Sequence, residues 1–544
     1  MKKIIAIIVV FTAITAIAQG NYPVSEITGI ESDIPFQGYF EDQAYVGYGE
    51  YQIFYSEDGV LDMPLIITDG YDPGDNNGIG AIYHYLTSEN GDNLFDTLRG
   101  YGVDIVILNF PEYTRDDNTV VQGGSDYIER NAYVLVALLE DIIEDMEGNE
   151  QFVVVGPSMG GLVTRYALAY MEQNGMDHNT GLWLSFDAPH YGANIPISLQ
   201  YLVNYMAVQS ADPDVTALRD NMLNTPAAMQ LLLDHYTAHI QEGSDIEQDY
   251  LIQLPTPAEV YRENFTNAIE ALGFPQATRN LTIIDGSDNS GMVESPGTTI
   301  VDTEFDLGSG VGLKTELYFT PEAGVENYVV DYLQPTIYGF DYGDPYYTYA
   351  SSPATSAGLD SAPGGTVLMD EFFAGTESDI INQFYDALQI DAFSFIPALS
   401  ALGVPATDWY APVSGIDLAE TPFDAASTQN DNLVHLAFTQ NSFDFVHGEI
   451  LSHFNITGIP GYSLSRWVLK ENPVSEYLEL SLEGHPVSGE MHIRITDGTG
   501  RRICDFIRQT AGENLLVPAP STPGMYYLEI GEDTYVNRIK FIVK

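Results

Sequence analysis

Between Phe152 and Tyr170 the chain runs through an apolar stretch, Phe152-Val153-Val154-Val155, and then Gly156-Pro157-Ser158-Met159-Gly160-Gly161. A stripe of Leu162, Val163, Tyr166, Ala167 and Tyr170 follows at helical spacing. A short unbroken apolar run reads as a strand covered on both faces, and the stripe as a helix packed against it. The chain must therefore pass from strand to helix within a few residues. Small residues on either side of Ser158 permit so sharp a turn without Cβ clashes. A parallel sheet with helices on both faces is the layered architecture that accepts such a unit.

The same rhythm surrounds it. Pro64 to Thr68, Val103 to Phe110, Leu182 to Phe186 and Leu281 to Ile284 read as buried strands. Tyr127 to Ile143 carries a helical stripe. From about 195 to 275 the pattern is mostly helical with no strong strand, which predicts a helical lid inserted into the α/β order. Thr298 to Phe340 predicts a β-rich excursion, and Thr348 to Gly365, rich in Ser, Pro, Ala and Gly, a loop. A last helix is expected to about Phe454, capped by Ser442. After Leu469 the pattern becomes strictly alternating, as in Leu478 to Leu482, Met491 to Ile495 and Tyr526 to Ile530. That change predicts a separate small all-β sandwich over 470–544, with its boundary near Glu471-Asn472-Pro473.

Charge narrows the function classes. There are 78 Asp plus Glu against 19 Lys plus Arg, a formal charge of -59. Such a surface repels nucleic acid and anionic membranes. The single cysteine, Cys504, allows neither an intramolecular disulfide nor a cysteine-based zinc site, and is expected to be a small core residue. Lys2 and Lys3, the apolar run Ile4 to Ile17 and Ala16-Ile17-Ala18 read as a signal peptide over 1–18, with the mature chain from Gln19. No later stretch is long and apolar enough for a membrane span.

The segment around Ser158 contains G-x-S-x-G in the strand–turn–helix setting that this motif needs to present a nucleophilic serine. The helix N-terminus there favours developing negative charge. Two backbone N–H groups are expected to receive an oxyanion: Met159, just after the serine, and Tyr71, in the loop Asp69-Gly70-Tyr71-Asp72-Pro73-Gly74-Asp75 after PLIIT. That acidic loop is also a candidate calcium turn, although EF-hand spacing is absent.

The segments GPSMGG, PLIITDGYDPG and FDAPHYGANIP resemble a bacterial α/β-hydrolase of the lipase/esterase type, over about Ala44 to Phe454. The resemblance implies an α/β-hydrolase fold with a helical lid over 19–468 and the chain order Ser, Asp or Glu, His. It places the histidine late, where His435, His447 and His453 are the candidates; His435, ahead of the last helix, is favoured, with His447 as the alternative. His190, in the Pro-His-x-Gly-like turn, is expected to be structural. For the acid, Phe393 stands where many such lipases carry Asp before the histidine. The candidates are then Asp187, at the end of the strand beside the nucleophile strand, and Asp288, after the next strand. The expected activity is cleavage of carboxylic esters without a metal or other cofactor. A catalytically silent hydrolase fold serving as a surface binding protein, and an amide-cleaving enzyme, remain as alternatives.

In the tail, Asn472-Pro473-Val474, ITDGTGR from Ile495 to Arg501, PGMYYLEI and the terminal KFIVK resemble the sorting domain of the type IX secretion system. That resemblance implies a partner in the outer-membrane secretion machinery and a secreted or cell-surface location.

Overall fold

The computed structural model describes residues 22–209, 213–369, 379–456, 466–470, 473–475, 477–483, 488–497, 501–511, 514–532 and 535–544. The expected signal peptide lies outside them, as do Glu471 and Asn472 of the expected domain boundary.

One sheet organises the α/β part. Its strands are β1 (Thr28–Glu31), β2 (Tyr48–Phe54), β3 (Pro64–Thr68), β4 (Asp104–Asn109), β5 (Phe152–Pro157), β6 (Thr180–Phe186), β7 (Arg279–Ser287) and β8 (Ala425–Gln429). In space they run β1-β2-β4-β3-β5-β6-β7-β8. The first two joins are antiparallel and all the others parallel.

Period-two alternation in the central strands divides their side chains between two cores. Ile66, Val106, Leu108, Val154, Trp183 and Ile284 face one core. It is shared with helices α1 (Ile128–Asp145) and α2 (Met159–Asn174). Leu65, Ile67, Ile105, Val153, Leu184 and Ile283 face the other, shared with the short helix Leu94–Arg99 and, near the C-terminal end of the α/β part, with Phe443, Val446 and Ile450. Both faces are therefore covered, which is why these strands read as continuous apolar runs.

The insertion after β6 carries α3 (Ile197–Gln209), several shorter helices and α4 (Tyr261–Leu272). It also holds a strand the sequence did not reveal. Leu251–Gln253 pairs in parallel with Tyr346–Ser351 of the excursion, joining insertion and excursion in one six-stranded sheet. Three residues of strand are too short to register as an alternating pattern. The expected loop at Thr348 to Gly365 accordingly begins inside that sheet. It runs into a two-stranded ribbon of Gly364–Leu368 with Ala392–Pro397.

The last helix of the α/β part is α5 (Gln440–His453). Its N-cap is Thr439 rather than Ser442: the Thr439 hydroxyl accepts from the Ser442 N–H at 3.1 Å. Ser442 sits three residues inside, where its hydroxyl faces Thr439. The tail forms a three-stranded and a four-stranded sheet around its own core of Leu478, Leu480, Ile493, Ile495, Leu528 and Phe541. Cys504 packs at the margin of that core, half-buried rather than central. Among the described residues no helix is long and apolar enough to cross a membrane.

Candidate active site

The site lies at the C-terminal ends of β5, β6 and β7, where open α/β sheets present their functional loops. Ser158 is the one residue between β5 and α2. Its backbone is at φ 51° and ψ -127°, a conformation that costs a residue with a Cβ and persists only where its surroundings enforce it. The enforcement is visible. The Ser158 N–H donates to the Phe186 carbonyl at 2.8 Å, and the Ser158 carbonyl accepts from the Gly161 N–H at 2.9 Å. A Cβ on Gly156 would stand 2.4 Å from the Gly160 carbonyl oxygen, and one on Gly160 would stand 2.5 Å from Thr68 Oγ1. The small residues are thus required by close approach of strand, turn and helix.

Asp187 directly follows β6, also at positive φ (44°), with its N–H on the Ile283 carbonyl of β7 at 2.8 Å. Its carboxyl is fully buried. His435 lies in the loop between β8 and α5, where its N–H donates to the Thr366 carbonyl at 2.8 Å and the ring of Phe395 meets its imidazole edge-on at 5.1 Å. These three elements bring the side chains into one line. His435 Nδ1 is 2.7 Å from Asp187 Oδ2, and His435 Nε2 is 2.8 Å from Ser158 Oγ.

The loop Asp69 to Asp75 closes over the serine. A Cβ on Gly70 would lie 3.4 Å from Ser158 Cβ. The Gly70 N–H is taken by Asp69 Oδ1 at 2.8 Å, and the Asp72 N–H by the Gly124 carbonyl at 3.0 Å. The N–H groups of Tyr71 and Met159 find no acceptor among the described residues. Burial pushes Asp69 up to about 7, opposed by the hydroxyl it accepts from Tyr85.

Beside this line is an apolar cavity of about 240 Å³, lined by Tyr71, Ile195, Leu231, Val367, Phe393 and Phe395 among others. Phe393, the position where an acid is missing, faces this cavity from the Ala392–Pro397 strand and is fully buried. The Tyr71 hydroxyl is turned toward the insertion, donating to the Met222 carbonyl at 2.6 Å.

The other candidates lie elsewhere. Asp288 accepts from the Thr428 hydroxyl at 3.4 Å and does not face His435. His447 is inside α5, where its ring packs at a tilt against Tyr101 and Phe443. His190 is buried, with Nε2 2.8 Å from Ser185 Oγ, and burial holds its ring well below the usual range.

One residue escaped the sequence reading. Asp285, in β7, donates its N–H to Asp187 Oδ1 at 3.2 Å and accepts the Ala437 N–H at 3.2 Å. Burial, and then the charge of Asp187, push its carboxyl well above the carboxylate range. Asp187, Asp285 and His435 offer ligand-type atoms within 4.8 Å of one another, a set able in principle to hold a cation. Both imidazole nitrogens of His435 are already engaged, one with Asp187 and one with Ser158, so a metal would have to displace that pairing.

No protein-family model matches the chain. No curated protein matches it either. Among solved structures, the lipase BlEst2 of Bacillus licheniformis is 12% identical over 43% of this chain and 72% of its own, at TM-score 0.23. Est1E of Butyrivibrio proteoclasticus is 11% identical over 48% and 77%, at TM-score 0.25. The peroxisomal alpha-beta-hydrolase Lpx1 of Saccharomyces cerevisiae is 12% identical over 49% and 75%, at TM-score 0.27.

Proposed function

We propose that this chain is a serine hydrolase of the α/β-hydrolase type that cleaves carboxylic esters, with Ser158 as nucleophile, His435 as base and Asp187 as the acid that orients it. The observation that carries the reading is the continuous line of hydrogen bonds from Ser158 Oγ through both nitrogens of His435 to Asp187, with the serine on a strained turn. Nothing in a purely structural role requires a serine at positive φ aimed at an imidazole.

The steps follow from the geometry. His435 Nε2 takes the Ser158 proton as Oγ attacks the ester carbonyl. Asp187 holds the ring in the tautomer with its proton on Nδ1 and stabilises the imidazolium that forms. The oxyanion rests on the N–H groups of Tyr71 and Met159, the latter at the positive end of α2. His435 then protonates the departing alcohol, and water, deprotonated by the same ring, resolves the acyl-enzyme. The apolar cavity takes the acyl group. At about 240 Å³ it is larger than the ~150 Å³ that accommodates benzene, so it suits a short aliphatic or single-ring acyl chain.

A fluorophosphonate probe should label the wild type at Ser158. Ser158→Ala should abolish labelling and reduce turnover of p-nitrophenyl esters by roughly 10⁶. A folded wild type that takes no label would favour a binding protein built on a silent site. Turnover of amides in preference to esters of the same acyl group would move the assignment to amide cleavage. We further infer that the β-rich tail serves export, as its resemblance to a sorting domain implies.

A further inference from the structure

The proposed reaction leaves Asp285 without a task, although it lies in contact with the two residues behind the nucleophile. Its backbone and side chain together clasp the turn that carries His435. The Asp285 carbonyl accepts from the Leu433 N–H at 2.8 Å, two residues before the histidine, and Oδ2 accepts from the Ala437 N–H at 3.2 Å, two residues after it. Its own N–H braces Asp187. The other carboxyl oxygen, Oδ1, is buried with no hydrogen-bond partner. A buried polar atom without a partner is costly unless it has a use.

We propose that Asp285 is a positioning residue that holds the His435 turn and stands as a reserve partner for the imidazole behind Asp187. The inference rests on the hydrolase reading of the site. Two carboxylates buried in contact do not both ionise. Asp187 faces two N–H donors, His435 Nδ1 and the Asp285 backbone, whereas the Asp285 carboxyl, equally buried, accepts from the Ala437 N–H and leaves its other oxygen unpartnered. Asp187 therefore carries the charge and Asp285 stays the neutral acid. If Asp187 is made uncharged, burial still disfavours a charge on Asp285, but the repulsion that adds to it is gone and the imidazolium is left as its counter-charge. Its carboxyl, already within 4.8 Å of the Asp187–His435 pair, can then ionise and take over part of the orienting task.

Two readouts test this. In turnover, Asp187→Asn alone should lose about 10², and Asp187→Asn with Asp285→Asn should lose the ~10⁴ expected when nothing orients the imidazole. Equal losses in the single and double variants would overturn the proposal. Asp285→Ala should lower kcat about tenfold or more through a loosened histidine turn, and Asp285→Asn, which keeps the shape of the neutral acid, should recover most of that loss. An asparagine no better than alanine would count against it.

The second readout needs no catalysis. With ring-¹⁵N histidine, the downfield Nδ1–H proton of His435 should persist in Asp187→Asn and vanish in the double variant. Its disappearance in the single variant would overturn the reserve role. Absence of fluorophosphonate labelling in the wild type would instead sink the hydrolase reading, and the proton signal would still decide what Asp285 does.

Discussion

At the scale of single residues the site depends on groups that carry no chemistry. Gly365 is the sharpest case. A Cβ there would stand 2.0 Å from Asp187 Oδ2, the oxygen that faces His435. Neither neighbour can give way: Asp187 is fully buried and Gly365 lies in the Gly364–Leu368 strand, paired to Ala392–Pro397. Gly365→Ala should therefore push the carboxylate off the imidazole. Misplacement by about 1 Å costs roughly 10² in rate, and the loss should appear in kcat with KM for small esters little changed. A variant with wild-type kcat would show that the Asp187–His435 contact is not needed at this geometry. The serine was legible in the sequence because its conformation is local: strand, small residues and helix stripe all lie within twenty residues. Asp285 was not, although it lies only three residues before the candidate Asp288. Which carboxyl turns inward depends on strand register, and the β7–β8 pairing shifts between Ile283 and Ser287. An irregularity of that kind breaks the two-residue alternation by which facing is read, so the sequence does not distinguish Asp285 from Asp288 as the inward carboxyl.

At the scale of elements, the legible parts are those whose pattern repeats over a full strand or several helical turns. The central strands and α1 and α2 fall where apolar periodicity puts them. The strand Leu251–Gln253 of the insertion and the ribbon that carries Phe393 owe their existence to partners nearly a hundred or about thirty residues away, and no local pattern encodes that. The tail is a clear case of the first kind. Its strands alternate strictly, and its core of Leu478, Ile493, Leu528 and Phe541 is distinct from the two cores of the main sheet. No residue of the Ser158–His435–Asp187 line belongs to it. Deleting everything after Leu469 should therefore leave a folded chain with wild-type turnover on p-nitrophenyl esters. In the native host the truncated form should be retained in the periplasm. Equal amounts of truncated and full-length protein outside the cells would remove the export role. Loss of turnover on truncation would show that the tail belongs to the catalytic unit.

At the scale of the whole molecule, the dominant fact is an acid excess that is not confined to the surface. Burial pushes Asp69 and Asp234 up to about 7 and Asp104 up to about 6. In the unfolded chain each would titrate near ~3.9. Over the interval between those values the folded state binds protons that the unfolded state releases, so these groups lose their stabilising contribution as pH rises. Buried histidines act in the opposite sense. Burial holds His235 and His239 down at about 4, so their contribution is present above ~6.5 and lost as pH falls below it. Between about pH 4 and 6.5 the two sets oppose each other, and stability should vary little. Above about pH 6.5 the folded histidines are neutral and the unfolded ones lose only their remaining protons, while the buried carboxyls still titrate, so the melting temperature should fall from about pH 6.5 to 8. Repulsion among surface carboxylates, part of a formal charge of -59, is a separate effect. Those groups are ionised throughout this range, and salt screens them at both ends alike. Raising salt to about 0.5 M should lift the melting temperature at both pH values while leaving the fall between them in place. Asp234→Asn, which keeps an acceptor for the Thr256 N–H at 2.6 Å but cannot ionise, should make that fall shallower. A melting temperature that rises from about pH 6.5 to 8 in high salt would show that the buried carboxyls are ionised in the folded protein at neutral pH, with partners that offset the cost of their burial.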